Sequence, residues 1–184
     1  MIIQKVIENS ATMLDDQNVL DYLRGQTVSE QAIKQTDKLV RLANLVITEL
    51  TAMGFYTICT QKVEWANGGF KIADLINNPI EILSVKDAFA SEIDFEIKGD
   101  GISTNKIADT VTYAYFVGNL DLSSEMEFEN KKITEQILAL GVVAEYYLTL
   151  CDFDSACVYH DKYAEQLKKI SKVKNSWIKG RVWA

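Results

Sequence analysis

The sequence is poor in the residues that usually carry chemistry. It has one proline, one histidine and three cysteines in 184 residues. A single imidazole cannot build a two-histidine metal site. His160 sits beside Asp161, but consecutive side chains on a helix point about 100° apart, so that pair cannot act as an oriented base. His160 is read as a surface or interface histidine. Cys59, Cys151 and Cys157 are an odd number without CxxC spacing, which points to thiols kept reduced rather than a zinc knuckle or a disulfide framework. No Gly-x-Ser-x-Gly elbow and no GxxxxGK[ST] loop is present. The glycine clusters Asn67-Gly68-Gly69 and Gly99-Asp100-Gly101 lie between strand patterns, where glycine makes turns. No apolar run has the length of a membrane span, and Glu145 interrupts the longest, Ile137–Cys151. The opening MIIQKVIENS is too short and too charged for a signal peptide. A soluble intracellular chain is expected, with no catalytic set, no metal and no cofactor.

What the chain does have is acid, unevenly placed. It carries 19 basic and 26 acidic side chains, a net charge of −7. Six of the basic residues follow Glu165, where no acid occurs, which leaves 13 against 26 in the first 165 residues. A body with that excess repels nucleic acid, whose binding needs clustered Lys and Arg. The cationic end suits an acidic protein surface, which includes that of a second copy. For Lys168, Lys169 and Lys172, complementing a helix dipole explains the charge equally well.

Patterning divides the chain. The first thirty residues are weakly patterned, with a short helix around Val19–Leu23 stopped by Gly25. From Ser29, a good N-cap, Ala32/Ile33, Leu39/Val40, Ala43, Val46/Ile47, Leu50 and Met53 form the stripe of a long helix ending at Gly54. Between Phe55 and Val117 β-branched and aromatic residues dominate. Thr60–Trp65 and Phe70–Leu75 around Asn67-Gly68 predict a hairpin. Ile80–Val85 behind Pro79, the alternating Ile93–Lys98, Ile102–Thr104 and Thr110–Val117 predict further strands. Ile133–Cys151 is apolar all round, the mark of a helix enclosed by neighbours, and Ser155–Ile170 is amphipathic.

The expected fold is therefore α+β in a single domain. A bundle of three to four helices (1–54 and 123–172) carries an antiparallel β-rich insert (55–122), placed between the long second helix and the C-terminal helix pair. An extended docking tail (173–184) follows. Two features stand out. Glu145, inside the apolar helix, needs a partner if buried, and Arg41, Arg24 or Arg181 would serve; it is read as a paired structural charge. The tail carries Lys174, Trp177, Ile178, Lys179, Arg181, Val182 and Trp183 without a core pattern. Its tryptophans either fold back on the same subunit or anchor in a pocket on another chain, since Trp and Arg are favoured interface anchors.

The order of LVRLANLVITELTAMGF, IEILSVKDAF, GDGIS, TVTYAYF, GVVAEYYLTLCDFDSACVYHDKYAEQL and the closing GRVW resembles the head–tail connector, or adaptor, proteins of tailed bacteriophages. The resemblance spans roughly Leu39 to Trp183, and each piece is degenerate, so the order carries it. It implies a non-enzymatic structural protein of the virion neck, made in the bacterial cytoplasm. It further implies a ring of about twelve copies beneath the portal protein, since head-to-tail contacts close rings. A downstream neck or tail protein would be a further partner, DNA would only pass through the channel, and no membrane is involved. The resemblance also favours docking of the tail over fold-back. The alternative is a small intracellular ligand- or protein-binding regulatory module with the β-insert as its binding site.

Overall fold

The computed structural model describes residues 1–26 and 28–175, the last four by backbone alone. Among these residues the architecture is α+β, five helices with an antiparallel β insert between the third and fourth. The chain divides into two compact units. Among the described residues, one is helical and comprises Met1–Glu49, Asn119–Glu125 and residues 131–175; the other, Leu50–Gly118 with Met126–Asn130, holds every strand. No helix among the described residues is long and apolar enough to cross a membrane.

The helical unit begins with α1 (Ile3–Met13), where only a short helix near Val19 was expected. Its buried face is Ile3, Val6, Ile7, Ser10 and Ala11, a three-and-four spacing. The capping residue is Ile2, which offers no side-chain acceptor. The first N–H groups bond instead to a distant segment, Ile3 to the Ser124 carbonyl and Gln4 to the Leu122 carbonyl, both at 3.1 Å. The Ser10 hydroxyl donates to the Val6 carbonyl at 2.8 Å, which satisfies it inside the core. Helix α2 (Gln17–Leu23) starts at Asp16, whose carboxylate accepts from the Val19 N–H. Helix α3 (Glu30–Ala52) is capped by Ser29, whose hydroxyl accepts from the Ala32 N–H at 3.1 Å. Along its stripe Leu39, Ala43, Val46, Ile47 and Leu50 are buried, while Met53 is exposed.

Helix α4 (Glu135–Thr149) buries Ile137, Leu138, Ala139 and Val142–Ala144 around much of its girth, packed by α1 and α5 (Phe153–Asn175). Helix α5 continues through Asn175, so residues 173–175 are helical backbone and not the start of an extended tail. Residues 119–122, expected in the β-rich insert, join the helical unit: Asn44 grips Leu120 through both its N–H (2.9 Å) and its carbonyl (3.1 Å).

In the β unit one sheet has the order β1 (Thr57–Lys62), β6 (Thr110–Tyr115), β3 (Pro79–Lys86). The other has β2 (Gly69–Lys71), β5 (Gly101–Thr104), β4 (Phe95–Lys98). Strand β6 lies central, as its run of β-branched and aromatic residues predicts, and Pro79 opens an edge strand, where its missing N–H does no harm. Phe70, Ile82, Val85, Ile102, Val111 and Tyr113 share one core. The expected hairpin of Thr60–Trp65 with Phe70–Leu75 is not formed. Its turn is real, with Ala66 and Gly69 exchanging hydrogen bonds and Asn67 and Gly68 at φ 52° and 88°. But β1 pairs with β6, and β2 with β5, because the long Thr110–Tyr115 strand offers β1 a six-residue ladder. Residues 126–130 also belong to this unit: Ile58 donates to the Glu127 carbonyl at 2.7 Å and Glu129 to that of Tyr56 at 2.9 Å.

Candidate functional site

Three places in the described residues present unusual groups, and each lies within one unit. The first is the crossing of α3, α4 and α5 at Gly141. A Cβ there would meet Val46 Cγ1 at 2.8 Å and the Tyr163 ring at 3.3 Å, so glycine lets the helices close up. Glu145, one turn along α4, is half-buried rather than interior. Of the arginines expected to pair with it, Arg24 and Arg41 do not bear on it, and Arg181 lies outside the described residues. The charges it senses are Glu49 and His160. Burial, then repulsion from Glu49, raises its carboxyl above the usual range, and His160 offsets this only in part. The Tyr163 hydroxyl is buried without a hydrogen-bond partner, and burial followed by the same two glutamates pushes its pKa strongly upward, so it holds its proton. Beside this crossing, Tyr147 and Tyr159 stack at 5.7 Å, and Lys38 sits 4.5 Å over the Tyr146 ring, whose hydroxyl accepts from Gln35 at 2.8 Å. Tyrosines packed in this way stiffen the bundle.

The second place is the loop from β3 to β4. The Asp87 carboxylate accepts from the N–H groups of Phe89 and Ser91, both at 2.9 Å, and Ala90 takes φ 61°. The Asp87 N–H donates to the Ser91 carbonyl at 3.0 Å. This tied turn holds Phe89 out with 90% of its surface exposed. The Asp at the head of Asp87-Ala88-Phe89 is the Asx-turn signal in the sequence for this loop.

The third is the elbow between α4 and α5. Cys151 turns the chain at φ 58°, and the Asp152 N–H reaches back to the Tyr147 carbonyl at 3.1 Å, closing the end of α4. The Asp152 carboxylate then caps α5 by accepting from the Ser155 N–H. Leu148, Leu150, Phe153 and Val158 are exposed around it.

A cavity of about 360 Å³ in the β unit is lined by Glu64, Asn67, Phe70, Lys71, Asp74 and Lys98 among others. Its charges are mixed in sign, and the Asn67-Gly68 turn is part of its lining. No group of three His, Cys, Asp or Glu side chains suited to a metal occurs among the described residues. His160 and Cys157 are exposed, and Cys59 is half-buried beside Tyr113 and Tyr115. The tail residues singled out in the sequence, Trp177, Ile178, Lys179, Arg181, Val182 and Trp183, lie outside the described residues, as does the side chain of Lys174. Compared with models of known protein families and with characterised proteins, the chain matches none.

Proposed function

We propose that the chain is a structural subunit of a tailed-phage neck. In this reading it is a head–tail adaptor that assembles as a ring between the portal protein and the tail and has no catalytic activity of its own. The observation that carries the reading is the Asp87 turn, where two carboxylate hydrogen bonds and a left-handed Ala90 fix Phe89 in water. An exposed phenyl ring on a tied loop suits an anchor for a neighbouring subunit. The resemblance of the ordered pieces to head–tail connectors points the same way, and the acid excess of the body suits a channel that DNA crosses without sticking.

Imaging tests this. An affinity tag on the chain, gold-labelled on purified particles, is expected at the junction of head and tail. Label missing from the particle overturns the proposal. Deleting 174–184 is expected to leave a folded chain that no longer joins the particle; an unfolded product would place the tryptophans in the core. The β-unit cavity favours a second reading, a ligand-binding module, and a small molecule that shifts the emission of Trp65 in the purified chain would select it.

A further inference from the structure

Helix α5 is polarised along its length. Asp152, Asp154 and Asp161 mark its first third with no lysine or arginine among them, whereas Lys168, Lys169, Lys172 and Lys174 mark its last third with no acid. The acidic end is also the apolar end. Leu150 and Phe153 are 53% and 63% exposed, and Leu148 and Val158 flank them at 43% and 52%. Asp154 and Val158 are four residues apart, so they share a helix face, turned away from the buried stripe of Ala156, Tyr163, Leu167 and Ile170. The elbow thus offers a hydrophobic knuckle set with carboxylates.

The chain itself contains the complement. Lys174 to Trp183 interleaves two tryptophans, Ile178 and Val182 with Lys179 and Arg181 and has no acid. Apolar anchors alternating with cations are what an acid-rimmed apolar knuckle would bind. Geometry then favours a tail from another copy. Helix α5 is 23 residues long, so Phe153 lies about 33 Å from Asn175 at about 1.5 Å per residue. The eight residues from Asn175 to Trp183 span at most about 29 Å when fully extended, and Trp177 reaches only about 7 Å. Trp183 would meet its own Phe153 only with the whole segment drawn out straight along α5, and Trp177 falls much shorter. A second copy has no such limit.

We propose that the α4–α5 elbow, through Leu148, Leu150, Phe153 and Val158 with Asp152 and Asp154, receives the basic tryptophan-bearing C-terminal segment of a neighbouring copy. The contact joins unlike surfaces, so every copy uses one elbow and one tail, and the assembly propagates head to tail until it closes. This rests on the reading of the chain as an assembly subunit and supplies the receiving surface that reading lacks.

A fluorescein-labelled peptide of residues 174–184, titrated onto the full chain and followed by anisotropy, tests it. Saturable binding is expected, weakened as salt is raised. Phe153→Ser with Asp154→Lys in the chain should weaken it at least about tenfold, as should Trp177→Ala with Trp183→Ala in the peptide. Asp152 is left in place because it caps α5. A peptide carrying Lys179→Glu and Arg181→Glu should bind the Asp154→Lys chain better than it binds the parent, which a merely misfolded elbow would not produce. Binding no stronger than that of a scrambled peptide, or unaltered by the elbow changes, overturns the proposal. If the elbow fails but labelled chain still marks the neck, the proposed function stands without it. If the elbow binds and the particle carries no label, the contact stands and the neck assignment falls.

Discussion

Tyr113 of the β unit and Tyr163 of the helical unit are 0% and 5% exposed, yet only Tyr113 has its hydroxyl hydrogen-bonded. It donates to Gln61 Oε1 at 2.8 Å and accepts from the Asn77 N–H at 3.2 Å, while Gln61 Oε1 also accepts from the Ile76 N–H at 2.9 Å. The difference follows from backbone accounting. In a helix the interior N–H and C=O groups satisfy one another, so a tyrosine buried among helices finds few free partners. The turn before β3 leaves N–H groups unpaired, and Tyr113 and Gln61 absorb them. The core of the β unit is therefore held in register by directed bonds, and the helix crossing at Tyr163 by fit.

The largest expected effect sets steric fit in one unit against the other. A Cβ on Gly69 would stand 2.1 Å from the Ile102 carbonyl oxygen, which is backbone and cannot turn aside. Gly69→Ala should destabilise the β unit by about 3 kcal/mol or more, at or beyond the upper end of overpacking costs. At Gly141 the nearest atoms are side-chain methyls and a ring edge, and alanine recovers about 1 kcal/mol of helix propensity. Gly141→Ala should cost only about 1 kcal/mol net. Urea unfolding reads both, by Trp65 emission in a background with Trp177 and Trp183 changed to phenylalanine, and by helical circular dichroism. Equal losses would mean that the β unit yields as readily as the bundle.

Next comes Tyr113→Phe. It strips the Asn77 N–H of its acceptor and removes one donor to Gln61, so a loss of about 1–3 kcal/mol is expected, the cost of a buried group left unpaired. Burial, with the Cys59 thiol beside it, pushes the Tyr113 hydroxyl up to about 12, so the network holds its proton throughout the usual range. A phenylalanine as stable as the parent would refute the claim that this network sets the register.

The sequence showed the core elements well where one local rule sufficed. The α3 stripe with its Ser29 cap and the all-round apolar α4 were legible, as were the β4–β5 hairpin around Gly99 and the prominence of Thr110–Tyr115. It failed where a distant segment supplied what was missing locally. Helix α1 has no capping side chain because residues 122–124 cap it, and β1 abandons its nearest hairpin partner for β6. Glu145 shows the same limit at the candidate site. Its lone charge in an apolar run is plain in the sequence, but its half-exposed setting beside another carboxylate is visible only once α3 and α5 are in place. The Asp87 turn and the elbow face were readable in principle, as an Asx signal and as apolar residues off the buried stripe.

A smaller effect probes charge at the helix crossing. The Glu145 carboxyl is raised in the folded chain by burial first and Glu49 second. Between the ordinary glutamate value of 4.5 and the raised one, the folded state binds more protons than the unfolded state, so stability falls as pH rises through that window. Glu145→Gln should therefore melt higher than the parent at neutral pH. The gap should close as pH drops below 4.5, where both side chains are neutral. A gap independent of pH would mean that shape, and not charge, separates the two.

The smallest expected effect is the one that tests the opening contrast most directly. Tyr163→Phe removes a hydroxyl that has no partner and keeps the ring against Gly141. Losing an unpaired buried polar group relieves a desolvation cost and breaks no hydrogen bond, so the change should be neutral or stabilising by up to about 1 kcal/mol. The ring is a different matter: Tyr163→Ala would empty the space between α4 and α5 and cost about 3–5 kcal/mol. Comparing Tyr163→Phe with Tyr113→Phe in one urea series separates ring from hydroxyl in both units at once. If Tyr163→Phe loses as much as Tyr113→Phe, the Tyr163 hydroxyl is paired in solution, and the bundle relies on directed bonds as the sheet does.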